Sequence, residues 1–503
     1  MRREPSASGQ SPLKRLLQLL AASALLLVAV LVINTLRVPA AAESPAASAG
    51  VVVDEAVAAE RLGAAVRFAT ISYASGAPID TAAFRGFHAF LARSFPRVHQ
   101  ATRLEVVGGL SLLYTWPGAD TTLAPVVLMG HMDVVPVTES NLPEWTQPPF
   151  SGAIADGFVW GRGTLDDKTT VLAILESIEG LLAEGFVPPR TIYLTFGHDE
   201  EVGGRYGASP MVDTLVARGV KPALVLDEGG FLASGVMPGV PGRSAIVGIA
   251  EKGYLSLRLR AIAPGGHSSM PTGRTAVGAL SRAIAKLEAD QFPSSLDGPT
   301  RGMLEAMAPY SPFTTRLVLA NLWLTAPLVR SQLGKNPLGA ALMRTTTSPT
   351  MLTAGVKDNV LPPEATAVVN FRIRPGETQL TVIEKVRRTI ADTMIRVEPT
   401  DSARVDPSPV SDITSPAYQL IANTIRSMVP DEKVPVLPYL VMGGTDAKYW
   451  GPHSDKVFRF LAVPFGEGDV GRVHGVNERI AVKDYAVAVG FFSRLLKGLG
   501  TLE

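Results

Sequence analysis

Two hydrophobic patterns alternate along this chain from about residue 52 to residue 250. Continuous apolar runs at 125–129, 191–194 and 223–226 read as strands buried on both faces. Helical periodicity predicts helices over 55–68, 80–94 and 169–184. Shorter runs at 104–107 and 111–114 read as a strand pair. Strands alternating with helices predict an α/β fold: a mainly parallel sheet with helices on both faces.

After Glu251 the pattern changes. Residues 254–260 and 365–372 alternate apolar and polar, as strands with one exposed face do. A turn at Pro264-Gly265-Gly266-His267 precedes a helix over 276–287, and a further helix is expected over 379–394. These features predict an inserted α+β lid domain over 250–402. It would divide the catalytic domain into 51–249 and 403–503, the second part closing on a helix near 482–499. Within the insert, 317–342 is unusually apolar and includes Trp323 and Pro327. Extra core and an apolar wall for a substrate or membrane both account for it.

Residues 16–36 form an uncharged apolar run of 21 residues, and about 20 suffice to span a bilayer as a helix. Arg2, Arg3, Lys14 and Arg15 precede it, which favours a cytoplasmic N-terminus. An Ala/Pro/Ser-rich tract over 38–49 follows and reads as a linker. Residues 1–50 are therefore expected to be a signal-anchor and linker, with the body outside the cytoplasm. Cleavage near Ala40-Ala41-Ala42 would make the protein secreted instead.

Composition narrows the chemistry. The net charge of +1, with no basic aromatic-interleaved patch and no P-loop, excludes a nucleic-acid partner. The chain has no cysteine, so disulfides, thiolate metal sites and cysteine nucleophiles are excluded together. Any metal must be held by His, Asp or Glu.

The stretch Thr195-Phe196-Gly197-His198-Asp199-Glu200-Glu201-Val202-Gly203-Gly204 puts four consecutive titratable residues at the end of a buried strand. Such charge is costly unless paired or metal-bound, and in open α/β sheets ligands bind at that end. Glu200 reads as a general base and Glu201 as a metal ligand; the plain alternative is a solvated acidic loop. His131, Asp166, Glu201, Asp227 and His474 are five candidate ligands, the first four each at a strand end or a helix start. This all-nitrogen-and-oxygen set suits two zinc ions, with cobalt or manganese as substitutes, and Asp166 is the best bridge. Asp133 is placed to orient His131. Taken singly each residue has a structural reading: Asp166-Asp167 can cap the following helix, and His474 can be an ordinary loop histidine.

Four motifs together resemble the dinuclear zinc peptidase family that includes aminoacylase and glutamate carboxypeptidase. They are Gly130-His131-Met132-Asp133, Gly161-Arg162-Gly163-Thr164-Leu165-Asp166-Asp167-Lys168, Asp199-Glu200-Glu201-Val202-Gly203-Gly204 and Gly265-Gly266-His267-Ser268-Ser269. Leu226-Asp227-Glu228-Gly229-Gly230, Asp358-Asn359-Val360-Leu361-Pro362 and Val473-His474-Gly475-Val476-Asn477-Glu478 point to its carboxypeptidase S and secreted N-acyl-amino-acid hydrolase branch. The resemblance implies one zinc on His131 and Asp227, another on Glu201 and His474, and Asp166 between them. It implies that Glu200 shuttles the proton and His267 stabilises the oxyanion. Arg372, Asn359, Gly443, Gly444 and Thr445 are implied in holding the substrate, with Arg372 and the Gly443-Gly444-Thr445 loop on its carboxylate. The implied activity is hydrolysis of the amide bond next to a free carboxylate, in dipeptides or N-acyl amino acids. An aminoacylase or dipeptidase of other specificity, and a non-catalytic binding module on the same fold, stay open as alternatives. The long apolar stretch departs from shorter members and leaves the family's lid-to-lid homodimer open.

Overall fold

The computed structural model describes residues 12–46, 49–235, 240, 242–271, 273–400, 404–466 and 468–502. Arg2, Arg3 and the expected boundary between 402 and 403 lie outside the described residues. The apolar runs become the centre of a ten-stranded sheet. Val126–His131 pairs in parallel with Ile192–Gly197 on one side and Leu224–Asp227 on the other. Their alternate side chains face opposite ways. Val126, Leu128, Leu224 and Leu226 enter one core, while Val127, Met129 and Val225 enter another. The helices Glu55–Val66, Lys168–Ala183 and Val482–Lys497 cover the first face, and Ala208–Ala217 covers the second. Burial on both faces is why these strands lack an alternating pattern.

The sheet is mixed. Arg103–Val107 and Ser111–Trp116 form a hairpin, whose short connection permits only antiparallel pairing. Ser111–Trp116 also runs antiparallel to Ile192–Gly197, so parallel pairing holds at the centre and gives way at this edge.

A second, four-stranded antiparallel sheet carries the alternating segments. Glu364–Ile373 lies between Thr346–Ala354 and Gly253–Ile262, with Ile395–Pro399 outermost. Ala365, Ala367, Val369, Phe371 and Ile373 point under the helices Ala276–Ala289 and Gln379–Ile390. The two sheets are joined at Glu251, which is buried against Arg459: Nε donates to Oε1 over 2.7 Å.

The apolar stretch falls between lid strands in sequence, but it packs elsewhere. Gly298–Met307, Phe313–Ala320, Leu322–Leu333 and Pro337–Met343 are helices. Met303, Leu304, Leu319, Leu322, Val329 and Leu342 share a core with Ile246, Ala250, Leu437 and Leu440 of the large sheet. The N-terminal run is one helix, Pro12–Leu36, exposed to its last turn, where Thr35 is buried. That turn rests on Phe313–Ala320.

Candidate active site

The parallel register brings the carboxyl ends of three strands level, with His131 opposite Gly197. His131 is buried, and its Nδ1 lies 3.0 Å from the Asp133 carbonyl oxygen. A carbonyl only accepts, so Nδ1 carries hydrogen and Nε2 faces inward. Nε2 stands 3.0 Å from Asp166 Oδ1. Across that carboxylate, His474 Nε2 is 2.9 Å from Asp166 Oδ2 and 3.1 Å from Glu201 Oε2. Asp166 therefore sits between two groups that converge closely enough to hold an ion: His131, Asp166 and Glu228, and Asp166, Glu201 and His474.

Asp227, expected among the ligands, is in neither group. Its Oδ1 accepts from the Glu228 amide over 3.0 Å and its Oδ2 from the Ala447 amide over 2.8 Å. Glu228, one residue beyond the strand Leu224–Asp227, is the neighbouring acid that lies with His131 and Asp166. The pair Asp227-Glu228 is visible in sequence, but which member faces inward is not.

Asp133 does more than orient His131. Its Oδ1 accepts from the Glu200 amide at 3.1 Å and its Oδ2 from the Glu201 amide at 3.2 Å. One buried carboxylate thus ties the His131 strand end to the acidic turn. The run of four titratable residues splits, with the two given no site role facing inward. His198 bonds Ser111 Oγ through Nδ1 at 2.6 Å, and Asp199 accepts from the Tyr206 amide at 2.7 Å, so both turn back into the protein. Gly204 in the same turn adopts φ +69°, and a Cβ there would collide with the Asp446 carboxylate.

Sequence reasoning also missed the groups behind Glu200. Burial pushes Glu200 well above the usual carboxylate range, and the charge of Lys448 opposes that rise. Burial also lifts Asp446 to about 8. Burial works against the charge on Lys448, but Glu200 and Asp446 outweigh it and hold the ammonium above its usual range. The only signal was a lysine three residues beyond Thr445.

Glu478 is the other hidden member. Fully buried, it accepts from the Gly163, Leu165 and Asp166 amides at 2.9, 2.8 and 3.3 Å and pairs with Arg162. Arg162 Nη2 in turn donates to the His474 carbonyl over 3.0 Å. The loop presenting Asp166 and the loop presenting His474 are thereby fastened to each other. His474 itself adopts φ +59°, a left-handed conformation costly for a non-glycine residue and held here by those contacts.

The remaining expected residues belong to neither ligand group. His267 is on a two-residue ribbon opposite Val360, exposed, with Nδ1 2.7 Å from Ser269 Oγ. The Asn359 carbonyl accepts from the Ser268 amide at 3.1 Å, so Asn359 and His267 share that ribbon. Arg372 stacks over Tyr254 with its guanidinium 4.7 Å from the ring centre, and burial lowers its pKa. Among the described residues no carboxylate is within ion-pair distance of Arg372. Gly443 and Gly444 are exposed with open space around them, while Thr445 is fixed by Oγ1 donating to Glu251 over 2.5 Å.

The donor set fits a pair of divalent ions. All donors are nitrogen or oxygen, and Glu201 Oε1 is buried with no hydrogen-bond partner. Burial and the neighbouring Asp166 raise the pKa of Glu201 and Glu228 alike, as carboxylates crowded without enough cations require. Burial opposes a charge on His131, yet Asp133 and Asp166 hold its proton well above the usual range. A bound cation would compete for that same position.

A family model for peptidase family M20/M25/M40 matches residues 127–498. The chain belongs to this family. Among its relatives, the probable carboxypeptidase S-like 2 of Dictyostelium discoideum is 40% identical over 87% of this chain and 84% of that protein. The N-fatty-acyl-amino acid synthase/hydrolase PM20D1 of Xenopus tropicalis is 37% identical over 94% of this chain and 93% of that protein. An M20 metallo-carboxypeptidase from Sulfolobus solfataricus shares the fold, with a TM-score of 0.63 at 19% identity, covering 88% of this chain and 99% of that one. This M20 member is accordingly an enzyme, a metallohydrolase of α/β architecture with a mixed sheet.

The Glu478 network yields a stability test. Glu478→Ala leaves Arg162 buried without its partner, a loss of roughly 3–5 kcal/mol for a broken buried pair. Urea denaturation should show that loss, and activity should fall with it because the Asp166 and His474 loops come apart.

Proposed function

We propose that this M20 enzyme hydrolyses the amide bond beside a free carboxylate, in N-acyl amino acids or dipeptides, using two zinc ions. The observation that carries the reading is Asp166 shared by two ligand groups, with Glu200 next in sequence to their member Glu201. His131, Asp166 and Glu228 would hold one ion, and Asp166, Glu201 and His474 the other. Bound there, the ions supply Lewis acidity: they polarise the scissile carbonyl and make the attacking water more acidic. Glu200 accepts the proton of that water and returns it to the leaving nitrogen. Its raised affinity for a proton suits the return step, and Lys448 steadies its carboxylate between steps.

The remaining groups come from the lid and from the loop at 443–445. His267 donates a hydrogen bond to the developing oxyanion once the lid lowers it over the carbonyl. Arg372, with no carboxylate of its own and already flattened on Tyr254, receives the substrate carboxylate as a bidentate partner. Asn359, on the His267 ribbon, and the open Gly443-Gly444-Thr445 loop complete that grip. The similarity to acyl-amino-acid and carboxypeptidase relatives supports this substrate class. The helix Pro12–Leu36, long and apolar enough to cross a membrane, supports an enzyme held at the membrane with its catalytic part outside the cytoplasm.

Three measurements test the assignment. The purified protein should carry about two divalent ions per chain and lose activity on chelation, with two expected from the ligand groups. Glu228→Gln should lower that content toward one, whereas Asp227→Asn should leave it higher; the reverse order would return the ligand role to Asp227. Glu200→Gln should keep its metal and lose turnover by about 10²–10⁴-fold, the range for a general acid–base residue. His267→Ala should lower kcat by about 10²-fold or more with little change in KM, the pattern of a group used in the transition state. Normal turnover in either variant would remove that residue from the mechanism.

A further inference from the structure

The helix Leu322–Leu333 is apolar on two sides. Leu322 and Val329 are buried against the large sheet. Trp323, Leu324 and Leu328, grouped with Pro327 on the opposite side by helical spacing, are 59%, 43% and 62% exposed. A surface helix of a soluble domain normally turns polar groups outward. An aromatic and two leucines side by side on that face call for an apolar neighbour.

The position of this face says what the neighbour is. Asn321, which opens the helix, is fully buried. Its Oδ1 accepts from Asn34 Nδ2 at 2.9 Å and from Trp323 Nε1 at 3.3 Å, and its Nδ2 donates to the Leu31 carbonyl at 3.1 Å. Trp323 is thus joined through one amide to the end of the N-terminal helix. That helix has 25 residues, or about 37 Å at the usual rise. A bilayer core takes about 30 Å, so the turn carrying Asn34 and Thr35 stands at the headgroup level. Tryptophan is favoured at that depth, with its ring among the acyl ends and its N–H satisfied. Arg330 and Lys335, both exposed on or just beyond the helix, offer charges to phosphate headgroups.

We infer that the outer face of Leu322–Leu333 lies in the same membrane leaflet from which the N-terminal helix emerges, as a second, in-plane contact with lipid. The inference rests on the reading of Pro12–Leu36 as a membrane span. Two contacts fix the catalytic body against the surface, where one flexible tether would leave it free to tumble. The same face would otherwise be open to a second copy of the chain, which the test separates from lipid.

The experiment uses the native tryptophans. Of the five, Trp116, Trp145, Trp160 and Trp450 are buried and Trp323 alone is largely exposed. The full chain is reconstituted into phosphatidylcholine vesicles, either ordinary or brominated near the headgroup end of the acyl chains. Flotation reports the span, and tryptophan emission reports the face. The expected result is flotation in both, with lower emission in brominated vesicles and a loss of that difference in Trp323→Phe. The double variant Leu324→Ser, Leu328→Ser should still float but lose most of the quenching. Flotation with equal emission in the two vesicles would overturn the lipid contact while leaving the span intact. So would a Trp323 shielded from aqueous iodide but not quenched by bromine, which would assign the face to a second copy. Failure to float would overturn the span and the lipid contact together.

Discussion

Acidic groups crowd the carboxyl ends of the parallel strands, and none of them can be buried without a partner. The site is organised by how that demand is met. Asp133, Asp167, Asp199 and Glu478 turn away from the centre and take backbone N–H groups. Each such bond fixes a loop, so these carboxylates work as struts. Asp166, Glu201 and Glu228 instead converge with His131 and His474 in two groups close enough to hold a cation. Electrostatic cost and metal chemistry are two views of one arrangement.

The struts also set what can move. Glu478 and Arg162 fasten two ligand loops together, and Asp133 fastens the His131 strand end to the Glu200 turn. This half of the site is pre-organised. The other half is more open: His267 is exposed, its imidazole bonded to Ser269 of its own turn, and Gly443 and Gly444 have open space around them. A two-part site of this kind suits a reaction in which substrate enters between the parts and closure completes the set of donors. The buried Glu251–Arg459 pair stands where the two sheets meet, and Glu251 also holds Thr445. The junction therefore also fixes Thr445.

The helical segment between the lid strands belongs structurally to the other sheet. Its inner side completes the core over the strands Arg243–Glu251 and Val436–Val441, and its outer side stands next to the end of the N-terminal helix. A single insertion thereby links the N-terminal helix to the large sheet without passing through the four-stranded one.

Periodicity was enough for the central strands of both sheets and the helices packed on them. Strands buried on both faces, such as Val126–His131, lack alternation, and the one-faced strand Glu364–Ile373 shows it residue by residue, because the burial pattern is written directly into side-chain order. Charged residues at strand ends were enough to mark the site, since a buried charge needs a reason. Other features depended on distance in three dimensions. Asp227 and Glu228 are chemically near-equivalent neighbours, and their order along the chain does not mark which one lies with His131 and Asp166. Glu478 lies more than 300 residues from the amides it holds, and Lys448 more than 200 from Glu200, so no local pattern could join them. The apolar stretch was legible as apolar, but its partner was not. The sequence by itself determined the elements, the acidic strand ends and the absence of thiol chemistry. Only the tertiary structure decided which acids brace the loops and which face one another, because that choice rests on side-chain direction and long-range contact rather than on order along the chain.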